Sequence, residues 1–133
     1  MNIVAIVQAR MGSTRLPKKV MRNINSTPLI GILLKRLSLS KKIGKIILAT
    51  SENVVNDPLV TYVRSLGYSV EKGSENNVLE RFYLTATKYN ADIVVRITGD
   101  CPLIDSKVVD DVIDFFLDNN LEYSSNINPP TFP

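Results

Sequence analysis

The chain has 133 residues, of which 44% are hydrophobic and 22% charged, a balance that is typical of a globular domain and excludes intrinsic disorder. Its length predicts one domain over residues 1–133. The chain has no histidine, which excludes Ser-His-Asp and Cys-His catalysis, and its single cysteine, Cys101, excludes an internal disulfide. Any chemistry must therefore use carboxylates, amines, guanidinium groups, backbone amides or a hard metal ion bound by oxygen.

The net charge of +3 conceals a division along the chain. Residues 1–50 contain ten Lys and Arg and no Asp or Glu, whereas residues 51–133 contain six Lys and Arg against thirteen Asp and Glu. The basic part favours a polyanionic ligand and the acidic part can supply metal ligands. We predict no nucleic-acid partner, because aromatic residues are not interleaved with the basic ones. Five cations are expected to be solvated charges on or beside a helix: Lys35, Arg36, Lys41, Lys42 and Lys45.

The chain lacks an apolar run long enough to span a membrane, and its start lacks a secretory signal pattern. We therefore expect a cytoplasmic protein with no membrane partner.

Apolar periodicity alternates between strand-like and helix-like segments. The first predicted elements, in chain order, are a strand over Asn2–Val7, a basic loop over Gln8–Lys19, a helix from Pro28 capped by Ser26 or Thr27, a strand over Lys45–Ala49, and a helix over Pro58–Leu66 capped by Asn56 or Asp57 and ended by Gly67. The remaining ones are a strand over Tyr68–Glu71, a helix from Asn76 or Asn77 to Tyr89, a strand over Asp92–Thr98, a helix capped by Ser106, and a strand over Tyr123–Asn126. This alternation predicts a three-layer α/β fold with a mostly parallel sheet and helices on both faces.

The loop Gln8–Lys19 leaves the carboxyl end of the first predicted strand, where ligands bind such sheets. It contains four cations, and the backbone around Gly12 can form an anion-binding nest. Arg10, Arg15 and Lys19 can supply the fixed positive charge that a triphosphate needs. The loop lacks the spacing of a Walker A motif and of the dinucleotide-binding glycine motif. An exposed basic turn would have a similar composition, but the position after a first strand favours phosphate binding.

The loop Thr98–Asp105 follows an apolar strand, so Asp100 is expected at the carboxyl end of that strand. A carboxylate that faces a cationic phosphate loop there is well placed to hold Mg²⁺. The alternative for Asp100 is a turn-forming side chain that bonds its own backbone. Asp105 directly precedes a helix, so we interpret it as structural.

Three charged residues outside these loops have weaker interpretations. Arg96 lies within an apolar strand and is expected to be paired with Glu80 or Asp100, either to orient the site or for structure alone. Glu80 and Arg81 begin a helix, and either could reach a ligand, but their default roles are a capping carboxylate and a surface cation.

Four segments together resemble a known family over nearly the whole chain. They are Val7–Pro17, Gly73–Phe82, Arg96–Asp105 and Asn128–Pro133. In these segments the sequence is similar to the cytidylyltransferases that activate acidic sugars, above all to the branch for spore coat polysaccharide biosynthesis.

This resemblance implies a GT-A-like fold, as in nucleotide-diphospho-sugar transferases, and transfer of CMP from CTP to a sugar hydroxyl with release of pyrophosphate. The implied nucleotide-binding residues are Ala9, Arg10, Gly12, Ser13, Arg15 and Lys19. Arg15, Lys19 and Asp100 are implied to be catalytic, with Asp100 as the ligand of Mg²⁺. The implied partners are CTP and a sugar acceptor, and the family's dimer-forming parts leave a homodimer open.

The sequence departs from the family pattern at two points. Lys18 stands where the family usually has glycine before the loop lysine. The chain also ends at Pro133, before the family's acidic C-terminal segment. Two alternatives therefore stand beside the nucleotidyltransferase: a glycosyltransferase of the same fold and a nucleotide-binding fragment without catalysis.

Overall fold

The computed structural model describes residues 1–12 and 18–125. Its strands are β1 (Ile3–Gln8), β2 (Asn23–Ile24), β3 (Thr27–Pro28), β4 (Lys45–Ser51), β5 (Ser69–Gly73) and β6 (Ile93–Thr98). Its α-helices are α1 (Leu29–Leu37), α2 (Asp57–Ser65), α3 (Val78–Lys88) and α4 (Ser106–Asp118), and short 3₁₀ turns occupy Lys19–Met21 and Val54–Asn56. No helix in this part of the chain is long and apolar enough to cross a bilayer.

Within the described residues the main sheet has four strands in the order β5-β4-β1-β6, and every pair is parallel. The predicted parallel sheet is thus confirmed. Strand order reverses next to β1, because the chain first builds outward through β4 and β5 and then returns to the other side of β1 with β6. In open α/β sheets such a reversal leaves a crevice at the carboxyl ends of the two strands concerned, here β1 and β6.

Helices cover both faces of the sheet, as the sequence predicts. On one face Ile3, Ala5 and Val7 of β1 pack with buried residues of α1, α2 and α4. On the other face Val4 and Ile6 pack with β4 and with partly buried residues of α3. Because β1 is buried on both faces, its sequence is a continuous apolar run rather than an alternating one.

A short hairpin precedes α1 and was not predicted. Strands β2 and β3 pair antiparallel around Asn25 and Ser26, which have φ angles of 51° and 70°. Two consecutive residues with positive φ make a tight hairpin turn. The prediction that Ser26 or Thr27 caps α1 is therefore wrong: Pro28 occupies the N-cap position, with no side-chain capping hydrogen bond.

The other helix ends follow their predicted chemistry with two differences. Asn77 caps α3 by accepting a hydrogen bond from the Glu80 N–H at 2.9 Å, and Gly67 has a φ of 93° after α2, so both predictions are confirmed. Asn56 sits at the N-cap of α2 but uses its side chain elsewhere. Asp105, rather than Ser106, caps α4, which confirms its structural interpretation.

A predicted strand near the end of the chain is not found. Tyr123 to Ser125 form no strand, so the predicted fifth strand is wrong over these residues, and Asn126 lies outside the described residues.

Candidate functional site

At the carboxyl ends of β1 and β6, the backbones of the two segments that leave the sheet lie close together. Gln8 pairs with Thr98 in register, and the Gly99 N–H donates to the Gln8 carbonyl at 2.7 Å. A Cβ on Gly99 would lie 2.8 Å from the Cβ of Ala9 and 2.9 Å from the Gln8 carbonyl oxygen. Only glycine permits this approach, so the two loops with the strongest chemical signals leave the sheet side by side.

The first residues of the basic loop are fixed by a buried asparagine. The Met11 N–H donates to Asn56 Oδ1 at 2.8 Å, and Asn56 Nδ2 donates to Ser51 Oγ at 2.7 Å. Asn56 is 1% exposed. It therefore ties the loop after β1 to the end of β4, and sequence reasoning missed this role because the residue stands where a helix cap is expected.

Lys18 adopts the left-handed conformation, with φ of 59° and ψ of 24°. Its N–H donates to the Met11 carbonyl at 2.9 Å, which closes the loop on itself. This backbone region favours glycine. The left-handed conformation therefore explains why a glycine at this position, as in the family pattern, would be favourable. Gly12, by contrast, has a φ outside the left-handed region, and a Cβ there would meet no atom of the described residues within 4 Å.

Lys19 and Asp100 face each other across the crevice. The Lys19 Nζ lies 3.8 Å from Asp100 Oδ1, and the carboxylate side chain is 75% exposed. The structure thus brings together the predicted phosphate-binding lysine and the predicted metal ligand. At this exposure the ion pair contributes little to stability, so both groups are available to a ligand.

The described side chains offer few oxygen ligands for a divalent cation at one place. No group of three or more carboxylate or thiol side chains that could hold a metal occurs in residues 1–12 and 18–125. Mg²⁺, however, is commonly bound by one or two carboxylates together with substrate phosphates and water. An exposed Asp100 beside a basic loop fits that mode of binding, in which substrate phosphates and water supply the other ligands.

The α3 side of the crevice carries further cations. Arg10 is exposed directly after β1. Arg96 donates to Gln8 Oε1 at 3.4 Å and lies over the Phe82 ring at 5.4 Å. The expected pairing of Arg96 with Glu80 or Asp100 is therefore not found, because the side chain leans along the strand toward Gln8 and stacks on α3.

Arg81 is not the surface cation that its sequence position suggests. Its side chain is 3% exposed, and its Nη1 donates to the Ser74 carbonyl at 2.9 Å. Burial lowers the pKa of the Arg81 guanidinium, the nearby Arg10 lowers it further, and Glu75 acts in the opposite direction.

Arg36 also departs from its predicted role as a solvated charge. Its Nε donates to the Ile104 carbonyl at 2.8 Å. This bond ties α1 to the loop that carries Asp100. The loop is further anchored by Asp105, which accepts from the Lys107 N–H at 2.8 Å.

Several predicted site residues cannot be placed in this geometry. Ser13 and Arg15 lie outside the described residues, as do Asn128–Pro133. A cavity of about 280 Å³ does occur in the described part, but it is lined by Lys45, Ile46 and Ser69 at the amino ends of β4 and β5. It is therefore at the opposite edge of the sheet from the crevice.

A parallel α/β sheet with a basic loop and an exposed carboxylate at its switch point defines a class, the nucleotide-binding α/β proteins. The cytidylyltransferase family model matches residues 4–132. The chain belongs to the cytidylyltransferase family.

Relatives and a solved structure agree with this assignment. An uncharacterised protein of Methanocaldococcus jannaschii is 42% identical over 128 residues, covering 96% of this chain and 53% of that protein. The spore coat polysaccharide biosynthesis protein SpsF of Bacillus subtilis is 36% identical, covering 97% of this chain and 55% of that protein. The 3-deoxy-manno-octulosonate cytidylyltransferase of Geobacter sulfurreducens is 31% identical, covering 85% of this chain and 44% of that protein.

The solved structure is a cytidylyltransferase from Leptospira borgpetersenii, which is 43% identical and superposes with a TM-score of 0.85, covering 90% of this chain and 50% of that one. It confirms the nucleotide-diphospho-sugar transferase-like fold. The chain spans about half the length of the relatives it matches.

Proposed function

We propose that this chain forms the nucleotide-binding part of a cytidylyltransferase that transfers CMP from CTP to a hydroxyl group of an acidic sugar. The observation that carries the proposal is the pair formed by Lys19 and Asp100, 3.8 Å apart at the switch point of a cytidylyltransferase fold. A cation and a carboxylate in this arrangement suit a ligand that is both polyanionic and metal-bound.

The reaction joins the acceptor hydroxyl oxygen to the α-phosphorus of CTP. The bond from the α-phosphorus to the bridging oxygen breaks, its electron pair leaves with pyrophosphate, and the hydroxyl proton is released to solvent. Catalysis of such a transfer consists mainly of positioning and charge stabilisation, which needs neither a histidine nor a covalent nucleophile.

The basic loop supplies the nucleotide contacts in this proposal. Arg10 and Lys19, both described, bind phosphate oxygens through charge-assisted hydrogen bonds. Ser13 and Arg15 are assigned the same role from the sequence alone. The backbone N–H of Gly12 completes the set, whereas the Ala9 N–H already donates to the Ala49 carbonyl at 3.3 Å. Among the described residues, no atom would lie within 4 Å of a Cβ on Gly12, which supports close approach of a phosphate.

Asp100 would hold Mg²⁺ together with phosphate oxygens. When bound, the metal ion neutralises negative charge on the phosphates and the leaving pyrophosphate. Lys19 would bind a second position on the same phosphate chain, next to the Asp100 carboxylate.

The relatives support a more specific assignment. One is a spore coat polysaccharide biosynthesis protein and another a 3-deoxy-manno-octulosonate cytidylyltransferase. We therefore place the reaction in surface polysaccharide biosynthesis in the cytoplasm, with a homodimer as part of the proposal. Because the chain spans about half of these relatives, a nucleotide-binding part that does not turn over alone is the second candidate.

The metal role is tested by titrating the chain with CTP in the presence and absence of Mg²⁺. We expect Mg²⁺ to raise the affinity of the wild type about tenfold and Asp100→Asn to abolish that gain. Asp105→Asn is the matched control, because it removes a carboxylate from the same loop while asparagine still caps α4. If Asp100→Asn keeps the wild-type dependence on Mg²⁺, Asp100 is not the metal ligand.

A further inference from the structure

The first turn of α3 and the end of β5 are built around the guanidinium of Arg81. The side chain is 3% exposed, and its Nη1 donates to the Ser74 carbonyl in the turn that follows β5. Gly73, the last residue of β5, makes room for it, because a Cβ there would lie 2.8 Å from Arg81 Cγ. The carboxyl edge of the sheet is therefore shaped to accept a large buried cation.

This cation lacks the usual compensation for burial. Within residues 1–12 and 18–125, the ion pairs closer than 4 Å do not include Arg81. Its Nε is buried without a hydrogen-bond partner in that part of the chain. Taking an unpaired charge out of water is costly, and an apolar side chain of similar volume commonly fills such a site as well or better. Packing alone thus does not account for an arginine here.

The surroundings add positive charge rather than remove it. Arg10 is near enough to lower the pKa of Arg81, and Arg10 is the exposed cation at the start of the basic loop. Glu75 gives only partial opposition. A buried charge is screened by salt much less than an exposed one, so Arg81 raises the positive potential over the carboxyl edge where a polyanion would bind.

We infer that Arg81 is a further determinant of nucleotide affinity, a buried cation that favours ligands in proportion to their phosphate charge. It acts without touching the ligand: it holds the turn at Ser74 and adds its field to that of Arg10. This inference rests on the proposed function, since it takes the polyanion to be the phosphate chain of a nucleotide.

The charge dependence separates this role from a structural one. A turn that merely collapses weakens every cytidine nucleotide by the same factor, whereas the loss of a charge weakens CTP more than CDP and CDP more than CMP. The experiment titrates CTP, CDP and CMP into wild type, Arg81→Met and Arg81→Lys at low ionic strength. Arg64→Met is the matched control, because Arg64 is an exposed cation in the last turn of α2.

We expect Arg81→Met to lower CTP affinity about tenfold and CMP affinity about twofold. Arg81→Lys and Arg64→Met should stay within about twofold of the wild type for all three nucleotides. Thermal unfolding of Arg81→Met should occur at or above the wild-type temperature, because a buried unpaired charge has been removed. Equal losses for the three nucleotides, or no loss, would overturn the inference.

A parallel titration with inorganic tripolyphosphate and phosphate separates this inference from the proposed function. If the wild type binds tripolyphosphate but not CTP, the cytidine assignment fails. The role of Arg81 is then tested with the two inorganic ligands, and Arg81→Met should lower the affinity for tripolyphosphate more than the affinity for phosphate. If the wild type binds neither ligand, both proposals are overturned.

Discussion

Lys18 has a backbone conformation that is unfavourable for a residue with a side chain. With φ of 59° it occupies a region that costs an ordinary residue about 1 kcal/mol or more. The conformation is kept because the Lys18 N–H closes the loop on the Met11 carbonyl and the next residue, Lys19, is thereby directed at Asp100. Local strain beside a candidate site is consistent with a loop that is shaped for a ligand.

Replacing Lys18 with glycine should stabilise the protein. Lys18→Gly relieves the left-handed strain but makes the unfolded chain more flexible, so we expect a gain in the free energy of unfolding of up to about 1 kcal/mol. Chemical denaturation measures it. Lys18→Ala removes the same charge while keeping the strain, and it should give no gain. An equal gain in both variants would show that charge, rather than backbone conformation, limits stability at this position.

The chemical types of the site residues could be predicted from the sequence, but the environments of three other residues could not. Asn56, Arg81 and Arg36 all stand at positions where a cap or a surface charge is the common outcome. The structure instead buries Asn56 between two loops, buries Arg81 under the turn after β5, and bonds Arg36 to Ile104. These partners are 45, 7 and 68 residues distant along the chain, so for two of the three only the tertiary fold reveals the contact.

At the level of elements, β5 is bound to the end of α3 by a cluster of polar side chains around the Glu71 carboxylate. Glu71 accepts a hydrogen bond from the Tyr89 hydroxyl at 2.7 Å and forms an ion pair with Lys88, whose Nζ lies 2.8 Å from Oε1. Burial alone would raise the pKa of the Glu71 carboxyl, but these two partners outweigh burial and bring its pKa below the usual value. The cluster stabilises the edge of the sheet on the side from which Arg81 approaches.

The stabilisation by Glu71 should depend on pH. Since the folded pKa is lowered, the contribution is present above the unfolded value of about 4.3 and is lost as pH falls through the folded value. We expect Glu71→Gln to reduce the free energy of unfolding by about 0.5–1 kcal/mol at pH 7, allowing for solvent screening, and by less at pH 3.

Denaturation of both proteins at the two pH values measures this difference. Glu75→Gln is the matched control, because this carboxylate is exposed and its hydrogen bonds within the described residues are long ones, from Asn53 Nδ2 at 3.5 Å. A Glu71→Gln effect that is as large at pH 3 as at pH 7 would contradict an ionic role.

Periodicity predicted the four long strands and four helices because each buries a regular apolar pattern. It failed at the β2–β3 hairpin, where Asn25 and Ser26 take positive φ without the Asn-Gly pair that usually signals such a turn. It also failed at Tyr123–Ser125, where the predicted fifth strand does not form. Short elements bury little surface, so their sequences are weakly constrained.

For the whole molecule, alternation of elements predicted parallel crossovers, but the order β5-β4-β1-β6 follows from packing that no local pattern specifies. That order is what brings Gln8 at the end of β1, and Lys19 beyond it, next to the loop of residues 98–105. Their proximity converts a basic segment and an acidic segment, far apart in sequence, into one candidate nucleotide site.

The central claim is most directly tested by calorimetric titration of this chain with CTP, UTP, ATP and GTP in the presence of Mg²⁺. We predict that CTP binds at least tenfold more tightly than the other three, because the chain belongs to a family that uses CTP. Equal binding of all four nucleotides would show that the site binds phosphate groups without selecting the base. Absence of binding by CTP would contradict the proposal that this chain carries the nucleotide site.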